Sequence, residues 1–309
     1  MKKIIAIFLL FLSVSAQAVT LVYNLRVRRV FTVAAVLEQM RSRWVATAVP
    51  LFFTQSRRLL NELTNLKGRE KRRAGGSLIN VRYIPSKHWW LEATTGIETD
   101  HATFTGTDPF HASRTGFDDL VLSAGYRHFI GKKIQAVAYG IGGIPTKREL
   151  KLTDRFTPLL GTRIFSLGAG GELSYSFFSE LQQSLALIAQ VRFIHGFDRS
   201  YTPIAPKGSK IQPGNGTDLL LTGQYRKRRT IIETGYNATF FTNAALRLPT
   251  GTFPEDTVIR HTGYASLSHA IFRNFLNKPI ILGAGFNASY AHAIDSRSFT
   301  AWIHGSIVF

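Results

Sequence analysis

Nine histidines are scattered along the chain, at His88, His101, His111, His128, His195, His261, His269, His292 and His304. None combines with carboxylates at the spacing a metal ion requires, so neither a metal nor another cofactor is expected. Cysteine is absent, which removes thiol chemistry and disulfides. His261 with Ser266, or Ser268 with His269, would supply the hydroxyl and imidazole of an acyl-transfer site. No acid lies nearby in sequence to orient either imidazole, so an enzyme is not expected. Asn215-Gly216 and Gly251 mark loop turns and not phosphate cradles. The ionisable residues of regular spacing are Arg82, Glu92, Asp119, Arg127, Glu172, Arg192, Asp218 and Glu233, which recur on the polar side of alternating segments. Charges held this way suit an aqueous lining that steers solutes, not bond making.

The segments that must carry those residues repeat every second position. In residues 163–177, Phe165, Leu167, Ala169, Leu173, Tyr175 and Phe177 share one parity, while Ser166, Gly168, Gly170, Glu172, Ser174 and Ser176 share the other. A period of two is an extended strand with one apolar face. The same alternation returns at residues 76–84, 88–98, 119–129, 181–195, 218–226, 230–243, 279–291 and 298–309. It is weaker at 133–144 and 258–272. Eleven strands therefore follow residue 74. Alternate connections are tight (85–87, 130–132, 178–180, 227–229 and 273–278), and those between are long (99–117, 145–162, 196–217 and 244–257), apart from 292–297. Segregated short turns and long loops mark a transmembrane antiparallel β-barrel with turns in the periplasm and loops outside.

An even strand count then asks for one strand before residue 74, giving about twelve. Residues 23–32 alternate better; residues 44–54 are the rival, with Pro50 arguing against a central strand. Residues 34–44 read as a short helix, residues 56–68 have helical spacing through Leu59, Leu60, Leu63 and Leu66, and residues 67–73 read as a basic extracellular loop. Residues 1–18 read as a secretory signal, with Lys2 and Lys3, an apolar run from 4 to 12, and Ala16-Gln17-Ala18 for cleavage. The expected organisation is a signal at 1–18, an N-terminal segment at 19–73 holding the first strand and a basic loop or lumen plug, and a barrel at 74–309.

The apolar parity would face lipid and the polar parity the lumen, with Tyr83, Trp89, Tyr126, Tyr175, Phe177, Tyr225, Phe240 and Phe309 near strand ends as interfacial aromatics. Phe309 ends the sequence on an aromatic residue, the expected C-terminal signal for barrel assembly machinery. The formal charge of +19 falls to +17 without Lys2 and Lys3. Export argues against nucleic acid as the partner of so basic a chain, leaving outer-membrane lipid, lipopolysaccharide phosphates and anionic solutes. Residues 34–73 carry nine Lys or Arg and three Glu, a net of +6.

Gly116-Phe117-Asp118-Asp119-Leu120, followed by Ser123-Ala124-Gly125-Tyr126-Arg127, resembles the Gly-x-x-Asp-Leu…Tyr-Arg strand opening of outer-membrane proteins of the meta-pathway phenol degradation group. Pro145-Thr146, Leu160-Gly161-Thr162 and Ser166-Leu167-Gly168 are similar to the strand that follows there. That group is related to the fatty-acid-transporter type of barrel, although the Asn-Pro-Ala signature of the long-chain fatty-acid transporters is absent. The resemblance implies passage of small hydrophobic compounds. The expectation is a bacterial outer-membrane channel for passive diffusion of small solutes, hydrophobic or anionic. The alternative is a structural or surface-interaction barrel with an occluded lumen.

Overall fold

The computed structural model describes residues 44–61, 66–106, 109–131, 133–146, 165–179, 183–200, 210–242, 245–249, 251–254, 257–275, 278–293 and 295–308. The signal, residues 23–32 and 34–43, and Phe309 lie outside them. In chain order the strands are β1 (Trp44–Asn61), β2 (Leu66–Tyr83), β3 (Trp89–Gly106), β4 (Phe110–Phe117), β5 (Leu120–Ile130), β6 (Ile134–Ile144), β7 (Ser166–Ser179), β8 (Gln183–Gly196), β9 (Arg199–Ser200), β10 (Lys210–Gln212), β11 (Asn215–Lys227), β12 (Thr230–Thr242), β13 (Ala245–Leu248), β14 (Gly251–Pro254), β15 (Val258–Phe275), β16 (Lys278–Ala291) and β17 (Ser296–Val308).

Twelve of these close into an antiparallel ring. Each ring strand pairs with the next one along the chain, and β17 returns to β1 with Val308 opposite Val45. β4 lies outside the ring, folded back on the upper half of β3. β9, β10, β13 and β14 form a small sheet from the segments that follow β8 and β12. The turn between β5 and β6 carries Gly131 at φ 64, a left-handed conformation that glycine adopts without a Cβ clash.

The pairing register sets the size of the ring. Followed once round from Trp90, it runs through Gly125, Tyr139, Gly170, Arg192, Asp218, Thr239, Arg260, Ala291, Ser296, Arg57 and Glu70. It meets β3 again at Phe104, fourteen residues beyond Trp90. With strands about 4.8 Å apart and about 3.3 Å per residue, that offset tilts them by roughly 39° and gives a backbone radius of about 12 Å.

The two faces of the ring differ as alternation demands. Leu91, Leu122, Leu167, Leu187, Leu219, Leu221, Leu282, Phe286 and Ile303 are all exposed on the outer face. A soluble protein does not leave so continuous an apolar band open to water. A closed ring has no unpaired edge, so the band can sit in hydrocarbon. Aromatic pairs border it. Trp44 and Tyr83 (4.6 Å between centroids), Trp89 and Tyr126 (4.9 Å), and Tyr175 and Phe177 (5.2 Å) mark the short-turn rim. Phe165 and Phe197 (5.3 Å) mark the other.

Two expectations for the N-terminal region are corrected, and the open choice of its strand is decided. The twelfth ring strand is β1, so residues 44–54 supply it. Pro50 is exposed there, and the ladder to β17 pauses beside it, between the pairs Ala48–Gly305 and Leu51–Trp302. The missing N–H thus coincides with a gap in the ladder, which removes the objection to a central proline. The helix expected over 56–68 is absent from the described residues there: 56–61 and 66–68 are strand. The basic run at 67–73 is also strand, so its side chains divide between two faces: Arg72 is buried, and Arg69, Lys71 and Arg73 are exposed. The long loop expected at 99–117 is mostly the β3–β4 hairpin. Among the described residues the first ring strand begins at Trp44, and position 74 falls inside β2.

Candidate functional site

The buried parity of the ring strands carries the polar side chains. Register brings them together across strands, since residues of one face that sit opposite each other are about 5 Å apart. On β2 and β3, Arg82 donates to Glu92 through Nε at 3.0 Å and Nη2 at 2.7 Å. Ser123 of β5 donates to the other Glu92 oxygen at 3.4 Å. Both charged groups are buried. The Arg82 guanidinium also lies 5.3 Å from the centre of the Trp90 ring, a cation–π distance. Higher on the same strands, Arg72 pairs with Asp100, and Asn80 donates to Thr94 at 2.7 Å.

Across the barrel, Arg192 of β8 donates through Nε to Asp218 of β11 at 3.1 Å, and Thr239 of β12 donates to the other Asp218 oxygen at 2.6 Å. Arg260 of β15 continues that row, buried, with its guanidinium 5.7 Å from the Phe241 ring. Glu233 accepts from Gln224 at 2.7 Å and from Ser266 at 3.4 Å. Each buried carboxylate in these clusters has a cation or polar donors beside it, the condition on which an ionised group persists away from water.

Aromatic side chains on the buried parity lie flat against the wall. A Cβ built on Gly125 would meet Trp90, on Gly170 it would meet Tyr139, on Gly235 it would meet Tyr264, and on Gly285 it would meet Trp302. In each case the glycine sits opposite the aromatic residue on the neighbouring strand. The missing side chain makes the recess in which the ring rests, which keeps its bulk out of the centre.

The expected lining residues divide by place. Arg82 and Glu92 form one cluster, and Arg192 and Asp218 another. Glu233 is held by β11 and β15 groups. Asp119 is buried at the start of β5, where its N–H donates to Asp118 Oδ1 at 2.9 Å. Arg127 and Glu172 are half-buried on β5 and β7. Sequence reasoning missed Arg72, Asp100 and Arg260. Asp100 continues the parity of Glu92 and Glu98, so a longer third strand would have included it. Arg72 was hidden in a run of cations, and Arg260 in the poorly alternating strand β15.

The serine–histidine pairs are not assembled. Ser268 is buried and His269 exposed, as neighbours on a strand must be; His261 is exposed and Ser266 is half-buried on the opposite parity. Ser268 instead meets His304 Nε2 at 3.3 Å. Among the described residues His304 Nδ1 has no hydrogen-bond partner, so no carboxylate orients the ring. No group of three or more His, Asp or Glu set to hold a metal occurs among the described residues.

No family model and no curated protein matches the sequence. Among solved structures, the fold is similar to an outer-membrane channel from Pseudomonas putida, at TM-score 0.61 and 12% identity, over 87% of this chain and 96% of that one. It is also similar to the transport unit of the autotransporter AIDA-I from Escherichia coli, at TM-score 0.55 and 8% identity, over 85% and 90% of the two chains. The fold is that of a bacterial outer-membrane β-barrel, and the apolar outer band is the part of it that suits the membrane.

Proposed function

We propose that the barrel is an outer-membrane channel for small solutes, lined by Arg82, Glu92, Asp119, Arg127, Glu172, Arg192, Asp218 and Glu233. The observation that carries this reading is the contrast between the two faces of one closed ring. The outer face is apolar, and the inner face holds paired charges and hydroxyls over a backbone radius of about 12 Å. Twelve strands lie between the eight whose interior side chains fill and the sixteen or more that leave an aqueous pore. The passage of hydrophobic compounds rests on the sequence resemblance; anionic solutes rest on the charge. The test is conductance of the full-length protein in a planar bilayer: stepwise current is expected, and the absence of both current and solute uptake by loaded vesicles would overturn the channel.

One observation supports the second reading, a barrel occluded at rest. Asn80, Asp100 and Thr222 have no solvent exposure although they lie on the inner parity. In a water-filled lumen polar groups at the wall would be wetted. A barrel with this interior and no current under any voltage would serve a structural or surface role.

A further inference from the structure

We propose that the outer face of β1 and β2, just above the apolar band, binds the phosphate groups of a phosphorylated glycolipid of the outer leaflet. The inference rests on the outer-membrane placement and is independent of whether the lumen conducts. The outward parity of β2 reads, from the short-turn rim upward, Tyr83, Val81, Ile79, Ser77, Gly75, Arg73, Lys71 and Arg69. Ten residues separate Tyr83 from Arg73. At about 3.3 Å per residue and a tilt of roughly 39°, they climb about 26 Å, against an apolar band of about 25 Å in such barrels. Arg73 therefore stands at the upper edge of the hydrocarbon. Lys71 and Arg69 stand about 5 and 10 Å higher by the same rise, at the depth of lipid headgroups.

The neighbouring strands add to the charge. Arg58 of β1 sits directly opposite Arg69, and both are exposed. Like charges facing each other on adjacent strands repel, so this arrangement is unfavourable unless an anion lies between them. His101 of β3 is opposite Arg73, and Arg297 of β17 is opposite Ser56, itself opposite Lys71. The acid that meets this patch is Asp295, 3.4 Å from Arg69, which also donates to Ser56 at 3.1 Å. Glu70 and Asp100 are buried on the other parity, where Arg72 pairs with Asp100. Among the described residues one carboxylate thus faces Arg58, Arg69, Lys71 and Arg73. Two or more cations at this spacing suit a phosphate monoester, whose oxygens accept from several donors at once.

The full-length protein in neutral detergent can be titrated with diphosphorylated lipid A and with the same glycolipid stripped of phosphate, binding being read by native mass spectrometry. The phosphorylated form should bind at least about tenfold more tightly, and that ratio should fall as salt rises. In the triple variant Arg69→Gln, Lys71→Gln, Arg73→Gln, folding being checked by heat-modifiable gel migration, the two forms should bind alike. If the triple variant does not fold, Lys71→Gln alone must reduce the ratio. Equal binding of both glycolipids by the wild type, or an undiminished ratio in the variants, overturns the proposal. Displacement of the lipid by millimolar inorganic phosphate would also overturn it, by marking a site for free anions.

Discussion

The two ends of β2 share a strand, the same two neighbours and one continuous ladder, yet they read differently. At the lower end the outward residues are Ile79, Val81 and Tyr83, and the inward ones are Leu78, Asn80 and Arg82. At the upper end the outward residues are Arg69, Lys71 and Arg73, and the inward ones are Glu70, Arg72 and Ala74. The inner face carries polar or charged residues at both ends, Asn80 and Arg82 at one and Glu70 and Arg72 at the other. Only the outer face changes, from lipid to headgroup and water. Alternation of apolar and polar residues is therefore a property of the strand's surroundings and not of strand geometry, which keeps its period of two throughout.

If the inner face is one continuous surface, breaking it should cost as much at either end. Arg82→Met leaves Glu92 buried without its cation, and Arg72→Met does the same to Asp100. Each should destabilise the barrel by about 3–5 kcal/mol in urea unfolding from lipid vesicles, and the paired changes Arg82→Met with Glu92→Leu should recover most of the loss. A large cost for Arg82→Met with none for Arg72→Met would confine the buried face to the membrane-embedded part.

The outer face should separate the ends. Ile79→Arg places a charge against hydrocarbon and should cost about 2–4 kcal/mol near the midplane, as should Leu187→Arg on β8. Lys71→Ile at the upper end should stay within about 0.5 kcal/mol, as a surface change does. Equal effects would mean that the band does not end where the cations begin.

A smaller effect is expected where the inner aromatics lie in glycine recesses. A Cβ on Gly125 meets the Trp90 ring, whereas one on Gly75, on the outer parity of β2, finds only the Leu51 carbonyl at 4.0 Å. Gly125→Ala should therefore cost about 1–3 kcal/mol by displacing the ring, and Gly75→Ala should not destabilise. Near-UV circular dichroism, sensitive to Trp90, should change for the first variant alone.

The smallest effect concerns ion preference. The inner charges are largely paired, so the basic excess of the chain falls at the two rims, on the outer ends of β1 and β2 and beside the short turns at Lys87, Lys133, Lys227, Arg228, Arg229 and Lys278. Weak anion preference is expected at low salt and should fade as salt rises, because exposed charges are screened within about 10 Å at 0.1 M. Reversal potentials in a salt gradient check it. Cation preference at low salt would place the influence with Glu92, Glu172, Asp218 and Glu233 instead.

From the sequence alone, the class of fold was determined wherever lipid enforces contrast. β7, β8, β11 and β16 alternate so strongly because hydrocarbon on one side rejects charge and the interior on the other side accepts it. Turn spacing added the direction of each strand, and evenness required a strand before residue 74. Only the tertiary structure decided which stretch that was. The choice of β1 depends on its pairing with β17 and β2, and such long-range pairing leaves no local trace; Pro50 is acceptable only because of where the ladder pauses. The upper parts of β1 and β2 were illegible for a related reason: with polar surroundings on both faces, a strand carries no hydrophobic period and reads as helix or loop. Partners within the interior were likewise beyond the sequence. Parity set Arg192 and Asp218 on one face, but the register of β8 against β11 determines that they meet.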